Sequence, residues 1–557
     1  MIKLKKELGF SDLLFASITG VIGSGWIFGG YYTAKVAGPA SIISWILGAI
    51  FIFLLAISWG EISSLFPASG AVARYMKYTN GALANSISGW ASVVEAIMLP
   101  AVESIATVSI IQMLLSKVNI SVVFVNASGL PTPLGAVASF LLVLLFFTLS
   151  YRGIRNTARV NIVVNYTRFI IMPLFIIIAI YAALSMNLAP NLTTPSFAPY
   201  GYTPIFTALP STGVIFSYLG FRQAIDVAGE AKKPAKDLWR VLILTVVITG
   251  ILFTLFQVVL VLGMVWNSSA AGTLGVMPGD WAGLTTSLPM ASFPLFDLAY
   301  GLKISYMAWL VGVAGFMSTA GVASMYLAST PRILFGMSKE GYLSRHFEKL
   351  SEKYRIPVFG LLATLAVTII LLIMGVAGVF VTSVGGFWIA LTSIGTSTLV
   401  FAYSTGPLVT AILRRKLPEY QRPFKIPAYF AITMISFVIT TLLIYWGAGS
   451  LFSSEDPYGG YMLIILILVG ALIYPTYNNK KRSDINSGIW MIIYLLTFLP
   501  ILYLGSYQTN ILPFPYDWIT EIILGSIFFL WAIYSSLPTE TIKSEIDKIL
   551  GSAAENE

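Results

Sequence analysis

Long apolar stretches alternate with short polar ones along almost the whole chain. A helix needs about 20 apolar residues to cross the hydrocarbon of a bilayer. By that measure the pattern predicts fourteen membrane spans, at 12–36, 40–66, 86–115, 134–150, 160–186, 205–229, 238–266, 301–330, 357–382, 385–412, 428–452, 459–477, 488–507 and 518–537. Two of these are interrupted from within. The first span carries Thr19-Gly20-Val21-Ile22-Gly23-Ser24-Gly25-Trp26-Ile27-Phe28-Gly29-Gly30. Each glycine in a helix interior costs ~1 kcal/mol against alanine, and in lipid every freed backbone N–H and C=O must find a partner. Such a run either lets helices pack closely or opens a helix so that its backbone faces a ligand. The sixth span breaks in the same manner, from Ser211-Thr212-Gly213 to Gly220 and on to Arg222 and Asp226. Interrupted spans at matching places of two halves point to a transporter's binding site. The implied halves are spans one to five and six to ten, in opposite orientation. That repeat rests on hydropathy and the two breaks, because residue identity between the halves is not evident.

Composition narrows the class. The chain has 557 residues, 57% of them hydrophobic and 10% charged, where a soluble domain carries about a quarter. It has no cysteine and one histidine, His346, which argues against thiol, histidine-triad and Cys/His metal chemistry. No cofactor and no metal are expected. The net charge of +9 is a topology signal. With the N-terminus inside, the basic residues fall in the inward tails and loops, among them Lys3, Lys5, Lys6, Arg74, Lys77, Arg152, Arg332, Arg414, Arg422, Lys480 and Lys481. Only Lys35, Lys117, Arg168, Arg222 and Lys303 of the 33 lie elsewhere. A nucleic-acid partner is therefore not expected. Four N-x-S/T sequons, at Asn119, Asn126, Asn191 and Asn267, fall in predicted outward loops, and a fifth, at Asn165, lies inside a span. The long outward loop after Asn267 either covers an external mouth or is simply solvated.

The chemistry of the breaks follows from helix ends. A half-helix N-terminus offers unpaired N–H groups and partial positive charge, which suits a carboxylate. Unwound carbonyls suit an ammonium. Two facing breaks therefore fit the two charged ends of an amino acid. Span three adds Glu95 and Glu103. Carboxylates inside a membrane are functional or paired, so these either meet a cationic substrate side chain or pair with an arginine. Arg222 and Asp226, four apart, share a helix face and are placed to pair; alternatively Arg222 meets Glu95 or Glu103 across the site.

Several motifs together resemble the amino acid–polyamine–organocation permeases, prokaryotic ones in particular, archaeal ones included. They are the first-span run quoted above, Glu61-Ile62-Ser63-Ser64-Leu65-Phe66-Pro67-Ala68-Ser69-Gly70, Leu219-Gly220-Phe221 followed by Ala228-Gly229-Glu230-Ala231-Lys232-Lys233-Pro234, Ala328 to Arg332 with Lys339-Glu340-Gly341, and Tyr420 to Pro427. They span the first eleven predicted helices. The resemblance implies an all-α membrane protein with the LeuT-like five-plus-five inverted repeat and discontinuous helices 1 and 6. The corresponding divisions are a tail at 1–11, repeats at 12–186 and 204–412, four further helices at 428–537 and a tail at 538–557, both tails cytoplasmic in a multi-pass plasma-membrane protein. It implies secondary transport of amino acids by alternating access, without enzyme activity, with a lean to cationic or broad specificity and either exchange or sodium-independent uptake. The alternatives are a non-transporting amino acid sensor and a lipid-linked flippase.

Carried over by position, Ile22, Gly23, Ser24 and Gly25 hold the substrate carboxylate. Phe216, Ser217 and Tyr218 receive its ammonium on their carbonyls, with Phe216 also an aromatic lid and Gly220 a further binding residue, and Tyr326, Glu95 and Glu103 line the side-chain pocket. Where relatives place a titrating lysine in span five this chain has Arg168, which does not deprotonate. Arg168 is therefore expected to act as a fixed cation tying spans one, five and eight, with Ser318, Thr319 or Ser324 in contact. Arg222 stands where the family usually has an acid. A bulky residue at Gly25 is expected to abolish binding while leaving the protein folded. The expected partners are a small amino acid and membrane lipid, in a monomer or homodimer.

Overall fold

The computed structural model describes residues 6–67, 70–151, 154–379, 386–453, 456–476 and 482–554. Lys3, Lys5, Arg152, Lys480 and Lys481 of the basic loops, and Ala68-Ser69 of the second-span motif, lie outside the described residues. In chain order the helices are α1 (Phe10–Val21), α2 (Gly25–Ala37), α3 (Ser41–Leu65), α4 (Tyr75–Lys117), α5 (Pro133–Tyr151), α6 (Ile154–Ser185), α7 (Thr203–Ser211), α8 (Gln223–Asp226), α9 (Pro234–Leu262), α10 (Pro294–Gly301), α11 (Ser305–Lys339), α12 (Val358–Val376), α13 (Phe387–Lys416), α14 (Tyr429–Gly449), α15 (Gly459–Leu468), α16 (Arg482–Leu504), α17 (Tyr516–Tyr534) and α18 (Thr539–Ala554).

Among the described residues, eleven helical stretches are long and apolar enough to cross a membrane, or twelve if the bent pair Thr203–Ser211 and Phe216–Asp226 is one span. The expected fourteen differs from this in two places. Phe10–Leu65 runs as one stretch although it holds two expected spans, and Gly459–Tyr474 is shorter than a full crossing. The third span is longer than its apolar pattern: α4 begins at Tyr75 and is kinked at Gly81, whose φ of +79° is open to glycine.

The core is built by α4 lying against α11 and α13, and by α3 against α9. These contacts enclose both interrupted segments. One end of the bundle, which carries the N-terminus, is tied by ion pairs drawn from the sequence motifs. Glu230 pairs with Arg332 at 2.5 Å. Glu61 takes Arg414 at 2.6 Å and Arg422 at 3.1 Å. Glu340 takes Lys77 at 2.5 Å and also Arg74 and the Tyr78 hydroxyl. The backbone at Leu8 pairs with Glu230 and Lys232. α18 docks at the same end through buried Ile542 and Ile546 and a Tyr420–Asp547 hydrogen bond.

At the opposite end the long loop after α9 folds over the bundle instead of standing in solvent. Trp281 is buried and donates to the Thr194 carbonyl at 2.9 Å, and Tyr31 of α2 donates to the Thr285 carbonyl at 2.9 Å. Lys117 and Asp297 close this side at 2.6 Å. Among the outward sequons, Asn191 is a structural residue: its side-chain nitrogen donates to Leu262 and Met264 and its oxygen accepts from Trp266. Its amide is therefore committed to packing, whereas Asn119, Asn126 and Asn267 are exposed. Asn165 is fully buried, as its place in a span requires.

The last helices are more closely joined to the core than their apolar sequence suggests. α16 packs along α4, Asn80 donates to Ser487 and Ala532, and Asp484 accepts from the Ala82 N–H. Asp484, Asp517 and Glu521 are all buried among these helices.

Burial opposes the charge of Glu340, but Arg74 and Lys77 more than offset it and hold the carboxyl at about 2, below its ordinary 4.5. A depressed carboxyl contributes stability above its ordinary value and loses it as pH falls through the folded one. Glu340→Gln is therefore expected to lower unfolding stability by about 2 kcal/mol. Thermal denaturation should show a constant gap between the two proteins from pH 5 to 8 that narrows only below about 4.

Candidate functional site

α1 ends because Ile22 leaves helical geometry, with φ −84° and ψ 74°. α2 restarts at Gly25 after Ser24. The first N–H groups of a helix have no acceptor within it, and here they open in the middle of the bundle. Glu103 of α4 caps the one at Ser24. Its two carboxylate oxygens accept from the Ser24 N–H at 3.0 and 3.2 Å, and Oε1 accepts from Ser24 Oγ at 2.9 Å. The Ser24 hydroxyl oxygen accepts in turn from Trp388 Nε1 at 2.7 Å. Gly23 is obligatory for this arrangement, because a Cβ there would sit 2.6 Å from Glu103 Oε1.

The second break comes after α7. Gly213 adopts φ +93°, and a Cβ on it would meet the Trp388 ring at 2.8 Å. Chain direction bends by 53° before Phe216–Arg222 continues as a 3-10 turn. The breaks press on each other. A Cβ at Gly25 would lie 2.1 Å from Ser217 Oγ and 2.9 Å from Ser217 Cα, and one at Gly220 would lie 2.0 Å from the Gly20 carbonyl. Any side chain at Gly25 must therefore force the two breaks apart. The expectation that a bulky residue there leaves the fold intact is corrected by this contact.

The proposed ligand residues divide accordingly. Ser24, Ser217, Phe216 and Glu103 are gathered at the breaks. Phe216 stands edge-on to Trp388, centroids 5.8 Å apart, as a lid would. Tyr218 points elsewhere, its hydroxyl on the Trp45 carbonyl at 3.2 Å between α3 and α9. Glu95 and Tyr326 form a separate cluster with Arg222. Arg222 Nη2 meets Glu95 at 2.5 Å, its Nε lies 3.3 Å from Asp226, and Nη1 donates to Ser92 at 2.7 Å. The Tyr326 hydroxyl donates to the other Glu95 oxygen at 3.0 Å. Both alternatives for Arg222 are thus realised at once. Glu95 has no free charge for a cationic substrate, which removes the main support for a cationic lean.

Arg168 also departs from expectation in its partners. It is buried, and Nη2 donates to the Met317 carbonyl at 2.9 Å, with Nε and Nη1 unpartnered. Ser318 and Ser324 keep hydroxyls without partners, and Thr319 is engaged by Thr107 at 2.7 Å. Among the described residues no hydrogen bond joins any of the three to Arg168, whose bonded nitrogen is on the Met317 carbonyl. The tie to span one runs through Asn165, which donates to Phe15 and to Thr19.

A pocket of about 70 Å³ lies on the side away from the N-terminus, lined by Phe28, Tyr32, Ser109, Gln112, Asn126 and Trp388 among others. Trp388 separates it from Ser24. This residue was missed in the sequence; the signal available was a lone tryptophan at the start of an interior helix, just after Gly385-Gly386. Gly213→Ala is expected to weaken substrate binding at least tenfold, because its methyl group must displace Trp388. Titration of the purified variant against wild type checks this.

Comparison with known proteins gives the family. A family model for amino acid permeases matches residues 8–458. The chain is similar to the glutamate/serine transporter AimA of Bacillus subtilis, 28% identical over 98% of this chain and 96% of that protein. It is also similar to that organism's aspartate-proton symporter, 26% identical over 97% and 98%, and to its branched-chain amino acid permease BcaP, 26% identical over 87% and 95%. The chain belongs to the amino acid permease family, within the amino acid–polyamine–organocation superfamily.

Proposed function

We propose that the chain is a secondary transporter that carries small polar and acidic amino acids across the plasma membrane by alternating access, with both termini cytoplasmic. One observation carries this reading: the first break holds a carboxylate, and the carboxylate it holds is a side chain of the protein itself, Glu103. A substrate α-carboxylate presents the same two oxygens to the same Ser24 N–H and hydroxyl. Its ammonium would face carbonyls of the second break near Ser217, and Phe216 with Trp388 would close over it. The two halves, 12–186 and 204–412, would rock about these breaks as an inverted repeat. The ion pairs at the N-terminal end, Glu230–Arg332 and Glu340 with Arg74 and Lys77, would then be the inner gate, and the pocket beneath the long loop the outer approach.

Specificity follows from charge. Glu95 is neutralised by Arg222, so the site does not select a cationic side chain. Relatives named for glutamate, serine and aspartate support the polar and acidic choice. Arg168 occupies the position of a fixed cation, which disfavours sodium there by like-charge repulsion.

The expected result in proteoliposomes is uptake of labelled serine, glutamate or aspartate, faster when the lumen is preloaded, unchanged by replacing sodium with choline, and poorly inhibited by lysine or arginine. Absence of uptake across the common amino acids contradicts the reading. Binding without flux favours a sensor. Removing Arg222 strands two buried carboxylates, so Arg222→Leu is expected to cost about 3–5 kcal/mol of stability, read by denaturant unfolding in detergent.

A further inference from the structure

The carboxylate site at the first break is already full. We propose that Glu103 is an internal occupant of that site, that an incoming substrate carboxylate displaces it, and that Arg168 receives it. This rests on the reading of the break as the substrate carboxylate site and adds the device that makes a carboxylate obligatory.

Three observations carry the argument. First, both Glu103 oxygens are committed to Ser24, whose one N–H and one hydroxyl cannot serve a second carboxylate at the same time. Two carboxylates sharing one site repel strongly in a dry interior. Second, Arg168 is a buried guanidinium with one nitrogen bonded, to the Met317 carbonyl, and two without partners. A guanidinium offers five N–H donors in a planar fork shaped for a carboxylate, and leaving it unfilled in the interior is costly. Third, the two groups are neighbours without being paired. A Cβ at Gly23 would meet Glu103 Oε1 at 2.6 Å and Val322 at 3.0 Å, and one at the adjacent Gly321 would meet Arg168 Nη2 at 2.9 Å. Each lies in the other's electrostatic field, yet no ion pair within 4 Å joins them among the described residues.

A rotation of the Glu103 side chain therefore exchanges one set of charge-assisted hydrogen bonds for another and clears Ser24. The exchange is a side-chain rotation that breaks one set of hydrogen bonds and makes another. An amine offers Ser24 no acceptor and a carboxamide only one neutral oxygen, whose bonds are weaker than the charge-assisted ones of Glu103, so both leave the latch closed. Glu103 is then a specificity-determining residue that acts by occupying the site, and Arg168 is its second berth.

The test uses full-length protein in lipid nanodiscs, titrated with the common amino acids and, for each that binds, its carboxamide. The expected result is that Glu103→Gln binds the amino acid at least tenfold more tightly than wild type while the carboxamide changes less than threefold. Arg168→Gln should weaken amino acid binding at least tenfold, and Glu103→Gln with Arg168→Gln should restore it to within threefold of Glu103→Gln alone. That restoration is not expected if Arg168 only supports the fold. If Arg168→Gln does not fold, the Glu103→Gln selectivity between acid and amide decides alone. Equal affinities in wild type and Glu103→Gln, or tighter binding of acid and amide alike, overturn the latch and leave the transport reading standing. Absence of amino acid binding by wild type and by Glu103→Gln overturns the transport reading itself, and the latch with it.

Discussion

A helix opened inside a membrane leaves backbone N–H groups without helical acceptors, and in this protein Glu103 meets the one at the opening, that of Ser24. Hydrogen bonds to a charged group contribute about 1.5–3 kcal/mol each, so the carboxylate on Ser24 holds α2, α4 and the break between α1 and α2 in one register. The neighbouring sequence follows from it. Gly23 is bare because the carboxylate lies against it. Trp388 is drawn in by the Ser24 hydroxyl and in turn fixes the bare bend at Gly213 and the lid position of Phe216.

A second constraint is charge balance. Around the two breaks, the buried carboxylates Glu95, Glu103 and Asp226 lie with the buried guanidiniums Arg168 and Arg222. They are not distributed evenly. Arg222 is gripped by Glu95 and Asp226, with Ser92 on its remaining face. Arg168 has a carbonyl and no carboxylate. The consequence is one saturated cluster, which ties α4 to the second break and to Tyr326, and one unsaturated cation beside a carboxylate that is bonded elsewhere. The first is structural scaffolding for the site, and the second is where the site has freedom to change.

Much of this was legible in the sequence. The run of apolar helices and the two breaks follow from hydropathy and glycine placement, which are local properties. The inward motifs were legible as motifs, but their physical sense, Glu230 with Arg332 and Glu61 with Arg414 and Arg422, depends on helices far apart in the chain. The partner choices of the buried charges were not legible for the same reason. Arg222 was open to Glu95, Glu103 or Asp226, and only the packing of α4 against the second break decides for Glu95 and Asp226 together. The Tyr218 side chain turns to the Trp45 carbonyl, which leaves its expected part, a backbone carbonyl for the ammonium, untouched. Trp388 escaped notice because a tryptophan in an apolar helix looks like packing until its Nε1 is seen to have an acceptor.

The account stands or falls on what occupies Ser24 when an amino acid is bound. A structure of the full-length protein in lipid with saturating substrate measures this directly. The account predicts the substrate carboxylate within hydrogen-bonding distance of the Ser24 N–H and hydroxyl, and the Glu103 carboxylate turned onto Nε and Nη1 of Arg168. Glu103 still on Ser24, with the amino acid bound elsewhere in the bundle, contradicts it.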